Sequence, residues 1–117
     1  MEKTLRMNLL FDFYGPLLTD RQRDVFRMYF QEDLSLAEIG EELDVSRQAV
    51  YDLLKRVQVS LEELESKLHL VERHGQRQAF YQEILSDLES LNCEGEQNTA
   101  VVNGLKDKIR RVQGGLD

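Results

Sequence analysis

Ser35-Leu36-Ala37-Glu38-Ile39-Gly40-Glu41-Glu42-Leu43-Asp44-Val45-Ser46-Arg47-Gln48-Ala49-Val50-Tyr51-Asp52-Leu53-Leu54-Lys55 reads as two helices joined by a tight turn, a helix-turn-helix. Ser35 can cap the first helix, and Glu38 three residues later completes a capping box. Leu36, Ile39 and Leu43 recur at i, i+3 and i+7 and form one buried stripe. Ala37 and Gly40 are small, as side chains must be where two helices cross closely. Asp44-Val45 makes the turn, with Val45 plugging the angle between the helices. Ser46 is a second N-cap, and Arg47 and Gln48 open the next helix. Ala49, Val50, Leu53 and Leu54 supply its buried side. In helix-turn-helix proteins the second helix enters the DNA major groove with its first residues near base edges. Here those residues are Ser46, Arg47, Gln48 and Tyr51, with Lys55 and Arg56 further along and Asp52 close by.

The charge balance limits what such a helix can grip. The 117 residues carry a net charge of -7, unusual for a nucleic-acid binder. Residues 19–60 hold six basic and nine acidic side chains, so even the helix-turn-helix region is acidic. Residues 46–56 are locally basic, from Arg47, Lys55 and Arg56 against Asp52. Affinity for phosphates comes mainly from Lys and Arg. A short positive strip on an acidic body can touch a nucleic acid without holding it tightly at physiological salt. No stretch has the length of a membrane span and Met1 begins no signal-peptide pattern, so a cytoplasmic protein with no membrane partner is expected. The single Cys93 leaves no internal disulfide.

Outward from the central stretch, residues 2–14 read as a first helix. Leu5, Leu9 and Phe13 with Met7, Leu10 and Tyr14 make a broad apolar face. Gly15-Pro16 ends it, because Pro lacks an amide proton and disfavours helix in the residue before it. Thr19 to Gln22 is a capping box opening a helix over 20–31. Phe11, Phe13, Tyr14, Phe26 and Phe30 are expected in the core rather than as a base-stacking platform. After Tyr51 the helical pattern continues. Val50, Leu54, Val57, Leu61, Leu64, Leu68 and Val71 are spaced 4, 3, 4, 3, 4, 3, a heptad seam. One helix from Ser46 to His74 would be about 43 Å long at 1.5 Å per residue, with a break near Ser60, a further capping Ser, as the competing reading. The seam Leu54, Val57, Leu61, Leu64, Leu68 and Val71 needs a partner, either a second chain or the chain's own later segment. Gly75 is expected to interrupt the helix. Gln76 to Leu91 then forms another, which either folds back on Leu61 to Val71 as a hairpin, the favoured reading together with a homodimer contact, or continues the long helix. Asn92 to Asn98 reads as a loop, Thr99 as the cap of a last helix with Lys106, Lys108, Arg110 and Arg111 on its basic side, and Gly114-Gly115 as the end of order.

Leu18-Thr19 with Arg21 and Arg23, then Ser35 to Ile39, Val45 to Gln48 and Val50 is similar to sigma-factor region 4. More closely, Leu10 to Leu18, Tyr29 to Leu36 and Val45 to Leu54 resemble the YlxM family of bacteria, a resemblance that covers residues 1 to about 91. It implies an all-α fold, a sigma region 4-like helix-turn-helix over residues 1–60 with a long C-terminal helical extension over 61–117. It further implies a helix-turn-helix protein of the signal recognition particle (SRP) pathway, with the SRP GTPase or SRP RNA as partner. Where region 4 carries basic or polar residues on the exposed face of its recognition helix, this chain has Ala49, Tyr51 and Asp52. Ala49 donates no hydrogen bond, and Asp52 repels phosphate.

Enzyme chemistry is not visible. There is no Gly-rich phosphate loop and no nucleophile elbow. His69 and His74 are five apart, off the i, i+4 spacing of paired helix ligands, so no zinc site is expected. Glu62, Glu63 and Glu65 read as a solvated helix face rather than a catalytic pair. No cofactor, metal or small-molecule substrate is expected. Three functions remain open: a regulatory or accessory protein of the SRP pathway, a sequence-specific DNA-binding transcriptional regulator, or a helix-turn-helix turned wholly into a dimer scaffold.

Overall fold

Thr19, Ser35 and Ser46 each open a helix. The computed structural model describes residues 2–91 and 94–114 and is built of helices α1 (Lys3–Tyr14), α2 (Asp20–Phe26), α3 (Leu36–Leu43), α4 (Arg47–Leu68), α5 (Leu70–Ser90) and α6 (Glu96–Gln113). Both capping boxes form reciprocally: Thr19 Oγ1 accepts from the Gln22 N–H while Gln22 Oε1 accepts from the Thr19 N–H, and Ser35 and Glu38 do the same. A 3-10 turn at Gly15–Leu17 ends α1 where Pro16 requires it. The Arg23 guanidinium donates to the Leu18 carbonyl at 2.7 Å, fixing α2 to that turn, and also pairs with Asp20.

Two compact units divide the chain, residues 1–71 and 72–117, so the first runs past residue 60, where the sequence places the boundary. Its core is Met7, Leu10 and Tyr14 of α1, Val25 and Phe26 of α2, Ile39 of α3, and Val50, Leu54, Val57 and Leu61 of α4, with Leu18 between. Removing such side chains from water contributes about 1.5–3 kcal/mol each. Leu54, Val57 and Leu61 are therefore covered by the chain's own earlier helices. They are closed to a second chain, which corrects that half of the expected seam. The alternation of heptad spacings recorded burial against α1 and α2 instead. Leu64 and Val71 are partly buried against the same core, and Leu68 is exposed.

Four further expectations are corrected. The helix from Asp20 does not stay α-helical to residue 31. It widens into a π-helical turn at Arg27–Gln31, closed by the Glu32 N–H to Arg27 O bond of 2.8 Å, with Asp33 left-handed at φ 59°. α4 runs through Ser60 unbroken and stops at Leu68, short of His74, because His69 turns left-handed at φ 57°. Gly75 consequently lies inside α5 and interrupts nothing. Glu65 is buried, unlike its neighbours Glu62 and Glu63, and it makes the break. Its Oε1 accepts from the Tyr14 hydroxyl at 2.6 Å and from the Val71 N–H at 3.0 Å, and the Leu70 N–H donates to Tyr14 Oη at 3.1 Å. These side chains satisfy the first free amides of α5, as a new helix requires.

In the second unit the Gln78 side chain donates to the Gln113 carbonyl at 3.0 Å, Gln113 donates to Gln82 at 3.3 Å, and Arg110 pairs with Glu89 at 3.6 Å. α6 starts at Glu96 behind Gly95, earlier than Thr99. Thr99 Oγ1 donates back to the Gly95 carbonyl instead of capping. Of the loop and chain end expected from sequence, Asn92, Cys93 and Gly115 lie outside the described residues.

Candidate nucleic-acid interface

The angle between α3 and α4 depends on how closely they can approach. Asp44 adopts φ 55°, and the Val45 N–H donates to the Gly40 carbonyl at 2.9 Å while the Asp44 N–H reaches Glu41 O at 3.4 Å. Together these bonds form a Schellman closure. A Cβ on Gly40 would stand 2.8 Å from the Val45 carbonyl oxygen. Gly40 is thus required by contact, as its place in the sequence suggested, and Val45 packs on the core beside it. Ser46 Oγ then accepts from the Ala49 N–H at 3.0 Å. The Ser46 side chain is engaged as the cap of α4.

The remaining residues singled out from sequence are all exposed on α4, but they fall into two rows. Positions i, i+4 and i+8 are neighbours along a helix. Arg47, Tyr51 and Lys55 form one row, in which Lys55 Nζ lies 5.8 Å from the Tyr51 ring centroid. Gln48, Asp52 and Arg56 form the other, in which Gln48 Nε2 donates to Asp52 Oδ1 at 3.1 Å. The first row borders a groove completed by Leu36 of α3, Tyr29 of the π turn and Lys3 of α1. Asp52 and Arg56 of the second row turn toward Gln22 of α2, while Gln48 stays beside Arg47 and Tyr51. Arg56 is therefore separated from Arg47 and Tyr51, and the carboxylate of Asp52 tempers its row.

Charge beside the interface is unequal. α3 and its turn expose Glu38, Glu41, Glu42 and Asp44. The Ser35 backbone N–H, and then the Ser35 hydroxyl, hold the Glu38 carboxyl below its ordinary value, so it stays charged. On the opposite side, Arg6 grips Glu62 with two bonds of 2.8 Å. Those bonds hold the Glu62 carboxyl below its ordinary value. A depressed folded value means that the stabilisation is present above the ordinary carboxylate range and is lost as pH falls through the folded value. Both side chains are about two-fifths exposed, so solvent screening keeps the pair small. Glu62→Gln is expected to cost under about 1 kcal/mol at pH 7, with the difference from the parent vanishing in acid. Urea midpoints compared at pH 7 and pH 3 check this.

Lys3 and Tyr29 escaped the sequence reading. The signal available was weak: Tyr29 sits in an apolar run that reads as core, and its exposure follows from the π turn. Among the described residues no group of three or more His, Cys, Asp or Glu side chains is arranged to hold a metal, and no helix is long and apolar enough to cross a membrane.

A family model described as "Putative helix-turn-helix protein, YlxM / p13 like" (UPF0122) matches residues 1–102. A UPF0122 protein of Bacillus mycoides (strain KBAB4) is 49% identical over 108 residues, covering 90% of this chain and 98% of the relative. UPF0122 proteins of Bacillus thuringiensis (strain Al Hakam) and Bacillus cereus (strain AH187) are each 48% identical over the same coverage.

Proposed function

Since the chain belongs to the UPF0122 family of helix-turn-helix proteins, we propose that it is a regulatory or accessory protein of the SRP pathway that contacts the particle's RNA through the first turns of α4. The pathway is what the resemblance to the YlxM family implies. The observation that carries the RNA contact is the exposed row Arg47, Tyr51 and Lys55 on the helix whose counterpart reads nucleic acid in this motif. The acidic α3 argues against a firm grip on duplex DNA. In helix-turn-helix docking the first helix crosses the phosphate backbone, and here it would bring Glu38, Glu41, Glu42 and Asp44 against it. The SRP GTPase is the other partner within this reading, since an acidic surface suits a basic RNA-binding domain.

Retention of the purified protein on SRP RNA and on DNA, at low and at physiological salt, with a pull-down of the GTPase alongside, tests this reading. RNA or GTPase binding that survives physiological salt while DNA is lost is the expected result. Failure to bind either at micromolar concentration overturns it.

The Ser46-capped helix start favours a second reading, a sequence-specific DNA-binding regulator, because it presents Arg47 and Gln48 at the position of base contacts. Under it, Arg47→Ala costs about 1–3 kcal/mol and relaxes base preference at one position. A set of mutated sites in competition binding measures that. If no DNA sequence competes better than bulk DNA, the SRP reading stands alone.

A further inference from the structure

We infer that the groove between Tyr29, Tyr51, Lys3 and Lys55 is a seat for an unpaired nucleic-acid strand, with bases on the tyrosine rings and phosphates on the lysines. This deepens the nucleic-acid reading above and rests on it. Four observations combine. First, in a chain of net charge -7 this groove is lined by two lysines and by no carboxylate. It is thus a place on an acidic body where an anion meets only cations. Second, two large rings border it and remain 39% and 48% exposed, Tyr29 and Tyr51 respectively. Third, Tyr29 is held rather than loose. It meets Phe30 edge-on at 5.0 Å, Phe30 meets Phe26 at 4.7 Å, and Phe26 stacks on Phe11 at 4.3 Å with planes 3° apart. That ladder runs from the core to the groove and fixes the outermost ring in place. Fourth, the ring sits on a π turn, a costly irregularity that recurs at functional sites.

Aromatic platforms interleaved with Lys and Arg are how single strands are bound without regard to sequence. Arg47 continues the cationic line from Lys55 along the same row. A single strand can follow that line, whereas a duplex docked on α4 must also pass the four carboxylates of α3 and its turn. Unpaired strands of RNA and of DNA share the bases and phosphates that this groove would recognise.

The experiment uses the full chain and three labelled probes: a 12-nucleotide oligouridine, the matching oligothymidine, and a 12-base-pair duplex. Fluorescence anisotropy at physiological salt gives affinity. The chain has no Trp, so its intrinsic emission comes from tyrosine and is quenched when bases stack on the rings. The expected result is that at least one single strand binds more tightly than the duplex and quenches the emission. Tyr29→Leu, which keeps an apolar contact to Phe30, should weaken the strand by roughly fivefold to a hundredfold. Lys55→Gln, at an exposed site outside the core, should weaken it and flatten the salt dependence. Circular dichroism confirms that both variants are folded. A duplex bound as tightly as either strand, or single-strand binding unchanged in both variants, overturns the proposal. Should Arg47→Ala abolish binding while Tyr29→Leu leaves it intact, the groove is refuted and the α4 reading survives. If no probe binds, the groove is refuted, and retention on SRP RNA and the GTPase pull-down decide the α4 reading separately.

Discussion

Tyr14→Phe is expected to lower the stability of the first unit by about 3 kcal/mol, although it removes one oxygen atom and no carbon. That oxygen donates to Glu65 at 2.6 Å and accepts from the Leu70 amide at 3.1 Å. Deleting it withdraws a bond from a buried carboxyl group and strands a backbone donor at the start of α5. A hydrogen bond contributes about 0.5–1.5 kcal/mol net, and a donor or acceptor left without its partner costs about 1–3 kcal/mol. The aromatic body is fully buried and stays, so no cavity contributes. Glu65→Gln should cost less, since an amide oxygen can still accept from Tyr14 and Val71. Urea unfolding followed by circular dichroism reads both, and an unchanged denaturant slope certifies that the shift in midpoint is stability. A loss under 1 kcal/mol for Tyr14→Phe would mean that the α4–α5 junction is held by something other than this pair.

Gly40→Val should cost about 3 kcal/mol or more, at the upper end of overpacking, and Gly40→Ala should go the same way at smaller size. The sign is what matters for Ala. On helix propensity alone, replacing a mid-helix Gly by Ala stabilises by about 1 kcal/mol. Here the new Cβ would meet the Val45 carbonyl oxygen at 2.8 Å. That oxygen belongs to the backbone of the turn and cannot swing away as a side-chain tip can. α3 and α4 must therefore part, pulling on the Val45 to Gly40 hydrogen bond. Thermal unfolding of the two variants measures the effect, and a stabilised Gly40→Ala would refute the close approach. If the variants fold, their loss of nucleic-acid binding relative to stability reports how much recognition depends on the α3–α4 angle.

Local chemistry was readable in the sequence, and long-range chemistry was not. The capping boxes at Thr19 and Ser35, the Ser46 cap, the Pro16 stop and the small Gly40 each act through residues within a few positions, so reading the string in order finds them. The break at His69 is different. His tolerates the left-handed region better than most residues, but that preference alone does not place a break at His69, and the bonds that hold it come from Tyr14, 55 positions upstream, together with a Glu that looks solvent-facing. Gly75, the nearest residue with a reputation for ending helices, drew the prediction instead. The first half of the heptad seam, Leu54 to Leu61, differs similarly, because one apolar stripe looks the same whether a second chain or α1 covers it. At the site, Arg47, Gln48 and Tyr51 followed from the motif. Tyr29 and Lys3 join Tyr51 and Lys55 through the tertiary fold and a π turn, and no spacing rule connects them.

The contacts that close α1 onto α4 have a consequence in time. Arg6 waits for Glu62, and Tyr14 for Glu65 and Leu70, separations of 51 to 56 residues. At about 5–20 residues per second, some 3–11 s of synthesis pass before these partners on α4 and α5 exist. During that interval the first helix offers Met7, Leu10 and Tyr14 to whatever is nearby. The short-range units, α2 with its turn and α3 with the start of α4, can form meanwhile. The nascent chain is therefore incompletely covered at its own beginning until its middle arrives, and a truncation ending before residue 61 would remove Leu61, Glu62, Glu65 and Leu70, and with them the long-range partners of Arg6 and Tyr14.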